Sequence, residues 1–282
     1  MLRYLRQIML MMVAVAVCSG AAFAENIIIK GSTTVLPIAQ TCLEAYMKAN
    51  PGVNVSLSGG GSGEGIKALI DKSTDIANSS REIKGNEVDL AKTKGVNPFA
   101  TVIAIDAIVP IVSPKNKVKN LSIDQLSQIY QGKITNWKEV GGDDLKIVVI
   151  SRDSSSGTFE AWGEMVLNKA KVAPQAQLQA SNGAIVQVVS KNRYAIGYIG
   201  LGYVNKSVVP LTVNGIQATA KTAISKEYPV ARPLYMYTNG EPAGETAKFI
   251  KFVLSPAGQK LVEKDGFVPL TGIKSKATKT KK

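Results

Sequence analysis

The 282-residue chain contains no histidine, which removes every Ser-His and Cys-His nucleophilic scheme and every histidine-dependent metal site. Carboxylate-only metal sites and lysine-based catalysis stay open. Cysteine is almost as scarce, with only Cys18 and Cys42 present. Cys18 falls in a leader, Met1 to Ala24, which carries Arg3 and Arg6, an apolar stretch from Ile8 to Val17, and Ala22-Phe23-Ala24 before Glu25. That pattern marks residues 1–24 as a cleavable secretory signal peptide. Its apolar core is shorter than the about 20 residues that span a bilayer, and no later stretch approaches that length. The expected product is a soluble, periplasmic protein with one thiol, which excludes an internal disulfide. Stability then has to come from burial. Cys42, among Ile38, Leu43 and Tyr46 at helical spacing, reads as a core residue. Lipid attachment at Cys18 is the alternative to cleavage. Val17 speaks against it, since a small residue normally precedes a lipidated cysteine.

Acidic residues are the scarcer charge. Without the two arginines of the leader, 32 Lys and Arg face 21 Asp and Glu, a balance of +11 that favours anionic ligands. Nucleic acid is the competing anion, but aromatic residues make up only 6% of the chain and do not interleave with basic ones, so no stacking platform and no nucleic-acid partner are expected. The one dense basic cluster is Lys274, Lys276, Lys279, Lys281 and Lys282, and residues 274–282 read as a solvated, disordered tail. No fixed-period repeat or low-complexity stretch is evident.

What is there is an alternation of strand and helix signals. Asn26 to Lys30 is β-rich, Gly31-Ser32-Thr33-Thr34 is a polar turn, and Pro37 to Lys48 is amphipathic. Asn50-Pro51-Gly52 stops that helix, Val53 to Ser58 alternates as a strand, and the glycine loop Gly59 to Gly65 opens onto Ile66, Leu69 and Ile70. Asp75 to Ala77 leads to Asn78-Ser79-Ser80-Arg81, and Thr101 to Val112 is an apolar run broken only by Asp106, the signature of a buried strand. From Pro114 the pattern restarts with a helix near Ser122 to Tyr130, a strand from Lys146 to Ile150, the Arg152 turn and a helix through Phe159 and Trp162. Further strands are expected at Ala195 to Ile199, Val208 to Val213 and Leu234 to Tyr237. Two short helices broken by Ser255-Pro256 should then pack back on the first half. Alternating elements of this kind predict an α/β protein with mixed sheets covered by helices.

Three turns place Ser, Thr and Gly at the start of a predicted helix: Gly31 to Thr34, Gly59 to Gly65, and Ser154 to Thr158. A helix N-terminus offers unpaired N–H groups and a partial positive charge, so an anion docked there gains several hydrogen bonds. Each turn alone could be a simple cap; together with Arg152 they point to anion binding. The glycine loop does not suit a nucleotide. Walker A needs Gly-Lys-Ser/Thr after the spacer, whereas Gly65 is followed by Ile66-Lys67-Ala68. No dinucleotide fingerprint fits either, and a nucleophile elbow fails at Glu64. Arg152 ends a strand within a turn of Ser156-Gly157-Thr158, and its planar fork suits a tetrahedral oxyanion. Asp153 either orients Arg152 or caps the turn. Arg81, beside Ser79 and Ser80, is a candidate second ligand.

These residues carry a resemblance. Gly31 to Pro37, Gly60-Gly61-Ser62-Gly63, Asp75 to Arg81, Arg152 to Thr158 and Ala195-Ile196-Gly197-Tyr198 together look like the substrate-binding protein of the phosphate-specific ABC transporter, over essentially the whole mature chain. The resemblance implies a type II periplasmic-binding-protein fold: two α/β lobes, two crossings and phosphate in the cleft. It also implies membrane permease subunits as partners, no cofactor and no catalysis, and a monomer is expected. The lobes are expected at 25–110 with 225–273, and at 111–224. Thr33 or Thr34, Ser62, Arg152, Ser156, Gly157 and Thr158 become ligand positions by that resemblance, and Ser32, Gly63, Ser80 and Arg81 join the candidate set. Better-known members have an aspartate, which accepts a proton from phosphate, where this chain has Ser80. Asp106 is the candidate replacement, and if buried it needs a protonated anion or Arg81 as partner. The same lobes could serve sulfate or molybdate, and a secreted phosphatase is the enzymatic alternative.

Overall fold

The computed structural model describes residues 26–270; the expected signal peptide and the lysine tail lie outside them. The chain begins β1 (Asn26–Gly31), α1 (Leu36–Ala49), β2 (Asn54–Gly59), α2 (Ser62–Ile70), β3 (Ile76–Ser79), α3 (Gly85–Thr93) and the long β4 (Pro98–Val112). In β1 alternate residues face inward, burying Ile27 and Ile29. In α1, with Pro37 in its first turn, Ile38, Ala39, Cys42, Leu43 and Tyr46 make one buried stripe. There follow β5 (Asn120–Leu121), α4 (Ile123–Tyr130), a 3-10 turn at Trp137–Val140, β6 (Val148–Arg152), α5 (Gly157–Met165), β7 (Gln177–Gln179), α6 (Asn182–Lys191) and β8 (Ala195–Gly200). A 3-10 turn at Leu201–Tyr203, β9 (Val209–Pro210), β10 (Thr212–Val213), α7 (Ala220–Ile224), β11 (Ala231–Asn239), α8 (Gly244–Leu254) and α9 (Pro256–Lys264) complete it.

Strands neighbour one another in the order β2-β1-β3-β11-β4-β8-β6-β7. β1, β2 and β3 are parallel, and β11 runs antiparallel between β3 and β4. β4 serves two sheets. It pairs with β11 from Pro98 to Ala107, then with β8 from Ile108 to Val112. β6 lies parallel to β7 and β8. The cores change hands along the same strand: Ala104 packs with Ile29, Ile38 and Phe249, whereas Ala107 packs with Trp162, Ile196 and Tyr198. On the return, Val230 belongs to the second core and Leu234 to the first. This is the two-lobed, mixed α/β architecture expected. α8 and α9 contribute Phe249, Val253 and Val262 to the core beneath α1.

Three elements differ from expectation. α2 starts at Ser62, inside the glycine loop, because Gly65 lets the helix lie on β1; a Cβ there would sit 2.7 Å from Gly31 Cα and from the Lys30 carbonyl. β11 runs straight through Pro233. Its partner Ile105 spends both backbone groups on Val268, at 2.9 and 3.0 Å, so the missing proline N–H leaves no ladder bond unmade. The strand expected from Val208 to Val213 is two short bridges, β9 and β10, that pair with different partners.

Candidate functional site

The carboxyl ends of β1, β2 and β3 in one lobe, and of β6 and β8 in the other, point at one cleft, which β4 crosses at Asp106, and ligands of open α/β sheets bind in such a place. Each candidate turn stands at the start of a helix there. Ser32 Oγ accepts from Thr34 N at 3.1 Å and its carbonyl accepts from Leu36 N, so Ser32 tightens the start of α1. Ser156 is the N-cap of α5, its hydroxyl accepting from Thr158 N and Phe159 N at 3.2 Å each. Ser62 Oγ accepts from Ser80 N at 3.0 Å and lies 3.2 Å from Ser80 Oγ.

The two jaws touch. Thr34 Oγ1 and Thr158 Oγ1 are 2.9 Å apart. Gly63 N donates to the Ser155 carbonyl at 2.9 Å, and Ser155 Oγ donates to the Gly60 carbonyl at 2.9 Å. Gly63 therefore spends its amide on the opposite lobe. Thr33, Thr34, Ser62, Ser80, Arg152, Ser156, Gly157 and Thr158 are all buried around this contact.

Arg152 is 1% exposed at the end of β6. Its Nε and Nη2 donate to the carbonyls of Gln179 and Ala180 at 3.0 and 2.9 Å, while Nη1 is buried with no protein partner. A guanidinium N–H held dry and unpaired costs free energy that an anion would recover. Burial pulls this guanidinium below its usual range, and the nearby charge of Arg232 adds to that. Tyr198 stands behind it, its phenol bonded to Ser151 Oγ at 2.9 Å and accepting from Arg152 N at 3.2 Å; burial pushes that phenol up to about 12. Trp162 stacks flat on the Tyr198 ring at 4.4 Å and stiffens this wall.

Two expectations about partners are corrected. Asp106 is fully buried, but its charged partner is not Arg81. Arg232, its cross-strand neighbour on β11, donates from Nη2 and Nε to Asp106 Oδ2 at 3.0 and 3.3 Å, and Leu201 N donates to Oδ1 at 3.0 Å. Burial pushes the Asp106 carboxyl up, against the pull of Arg232. Arg81 turns instead to the mouth of the cleft. It donates to Glu87 at 2.7 and 2.8 Å and to the Glu82 carbonyl at 2.8 Å. Its Nε lies 2.8 Å from Glu160 on the opposite lobe, a charge contact rather than a hydrogen bond, and Lys84 meets the same carboxylate at 2.9 Å. Burial pulls the Arg81 guanidinium down, and Glu87 and Glu160 more than reverse it.

The sequence reading missed Asn182, Arg232 and Tyr203. Asn182 Nδ2 donates to Thr33 Oγ1 and Thr34 Oγ1 at 3.2 and 3.1 Å. Arg232 also reaches α5, donating to the Gly157 carbonyl at 3.1 Å and to Thr158 Oγ1 at 2.9 Å. The Tyr203 hydroxyl donates to the Thr33 carbonyl. Ser181-Asn182-Gly183 before Ile185, Val186 and Val189 was a fourth polar turn at a helix start, the signal that would have found Asn182. Among the described residues no cluster of three or more carboxylates and thiols is placed to hold a metal, and no helix is long and apolar enough to cross a membrane.

The PBP superfamily domain matches residues 17–257. The phosphate-binding protein PstS of Borreliella burgdorferi is 36% identical over 270 residues, covering 92% of this chain and 94% of that protein. The phosphate-binding protein PstS of Bacillus subtilis is 31% identical, covering 88% and 82%. Among solved structures, a Clostridium perfringens protein described as a phosphate ABC transporter substrate-binding protein, with bound phosphate, is 38% identical with a TM-score of 0.82, covering 87% of this chain and 99% of that one. With that architecture and those relatives, the chain belongs to the PBP superfamily and, within it, to the phosphate-binding proteins of the PstS family.

Proposed function

We propose that this chain is a periplasmic solute-binding protein that captures inorganic phosphate between its lobes and delivers it, without catalysis, to the permease subunits of an ABC transporter. The observation that carries the reading is Arg152 Nη1, a buried guanidinium N–H with no protein partner, in the lobe whose α5 N-terminus meets the starts of α1 and α2 across the cleft. The names of the relatives agree with it. Thr33, Thr34, Ser62, Ser80, Arg152, Ser156, Gly157 and Thr158 form the ligand shell in this reading. Ser32, Gly63, Arg81 and Asp106 support it from behind or close it from the rim. The lobe edges fall where the cores exchange, between Ala104 and Ala107 and between Val230 and Leu234. No nucleophile stands beside a base within the shell, which favours binding over hydrolysis.

Calorimetry with inorganic phosphate tests this directly. Arg152→Ala removes the partner of a buried charge, a loss of about 3–5 kcal/mol, or roughly two to four orders of magnitude in affinity. Unchanged affinity would refute the site. Sulfate belongs in the same titration as a second reading, because Asp106 is engaged by Arg232 and Leu201 and so is poorly placed to accept a proton from phosphate.

A further inference from the structure

The threonine hydroxyls between the jaws are held from behind by groups that can only donate. A hydroxyl has one proton and two lone pairs, so what binds its oxygen decides where its proton goes. Asn182 is 0% exposed, at the start of α6. Its amide orientation is fixed by Gly200, whose N–H donates to Asn182 Oδ1 at 3.1 Å and so turns Nδ2 to the threonines. Nδ2 reaches Thr34 Oγ1 at 3.1 Å and Thr33 Oγ1 at 3.2 Å. From the other side Arg232 Nη2, charged at any working pH, donates to Thr158 Oγ1 at 2.9 Å. Asp106 anchors that guanidinium at 3.0 Å.

Thr34 Oγ1 and Thr158 Oγ1 stand 2.9 Å apart. One of their two protons bridges the pair. The other finds only N–H donors behind it, at Asn182 and Arg232, and so turns outward. Thr33 is in the same position, since Asn182 donates to its oxygen. Outward-turned hydroxyl protons in a dry cleft are donors waiting for an acceptor, and they cost nothing to reorient when an anion arrives.

We propose that Asn182 and Arg232 are positioning residues that turn the hydroxyl protons of Thr33, Thr34 and Thr158 toward the bound anion. This deepens the phosphate reading and rests on it. Asp106 then acts two steps from the ligand, by holding the arginine that holds the hydroxyl.

A double-mutant cycle tests it, with phosphate affinity read by calorimetry. Asn182→Ala in the wild-type background should weaken phosphate by about ten- to a hundredfold, the size of one hydrogen bond to a charged group. In a Thr33→Val/Thr34→Val background the same substitution should add less than about twofold. An undiminished effect there would mean that Asn182 acts only by anchoring Gly200, and the proposal would fall; a silent Asn182→Ala would sink it equally. Thr158 gives an independent reading should the Asn182 variant not fold. Thr158→Ser keeps the hydroxyl and should bind near wild type, whereas Thr158→Val should lose about tenfold or more. Equal affinities of the two would overturn the proposal. A wild-type protein that binds no phosphate would instead refute the functional reading itself.

Discussion

Gly157 lies where the lobes close, and adding a single methyl group there should separate folding from closure. A Cβ on Gly157 would meet Ser62 Oγ at 2.4 Å, Ser62 Cβ at 2.9 Å and Ser80 Oγ at 2.9 Å, all on the opposite lobe. Rotating the Ser62 hydroxyl relieves only the first contact, because Ser62 Cβ moves only with its backbone. Overpacking of this kind costs about 1–3 kcal/mol, and all of it falls on the closed state. Phosphate affinity of Gly157→Ala should therefore drop by roughly 5- to 150-fold. Stability of the ligand-free protein should hold or rise slightly, since alanine is the better helix former. Gly163→Ala is the internal control. It sits on the same helix with nothing within 4 Å of its Cβ, and should leave affinity unchanged. Calorimetric titration and thermal unfolding of the three proteins decide the matter. A Gly157→Ala protein that binds phosphate within about twofold of wild type would show that Ser62 and Ser80 do not close on α5.

Glu160→Gln removes the carboxylate that bridges Arg81 and Lys84 across the mouth, and should speed phosphate release in rapid filtration with little change in the rate of capture. Arg232→Leu leaves the Asp106 carboxylate buried without its cation, and should lower unfolding stability by about 3–5 kcal/mol in denaturant titration, with Asp106→Asn recovering part of the loss. Burial pushes the Cys42 thiol up to about 12, so at pH 8 it should resist a thiol reagent in the folded protein and react at once in denaturant. Reaction of the native protein at the same rate would place Cys42 at the surface.

The strand and turn signals were legible because they are local. Alternation in β1, the polar turns before α1 and α5, and the apolar run around Asp106 each declare themselves within a dozen residues. Arg152 could be singled out for the same reason, as a cation at a strand end beside its own helix cap. Arg232 could not. Its partner is 126 residues away in sequence, and only the register of β11 on β4 puts the two side chains opposite each other. Arg81 shows the same limit: it follows the candidate Ser80 in sequence, but its side chain finds Glu87 within its own lobe and Glu160 across the mouth. The start of α2 was missed because a glycine run has poor helix propensity, and close approach to β1 overrides propensity there.

The pairing of Ile105 with Val268 bears on how the protein lets go of its cargo. With both backbone groups of Ile105 bonded to Val268, β4 is held by a third segment just before it passes, at Asp106 and Ala107, from one core to the other. Asp106 is the footing of Arg232, whose far end grips Gly157 and Thr158. Opening of the lobes about this crossing would draw the guanidinium off α5. Opening the mouth and slackening the grip would then be a single mechanical act, and a permease that pries the lobes apart would need no separate trigger to discharge the ligand.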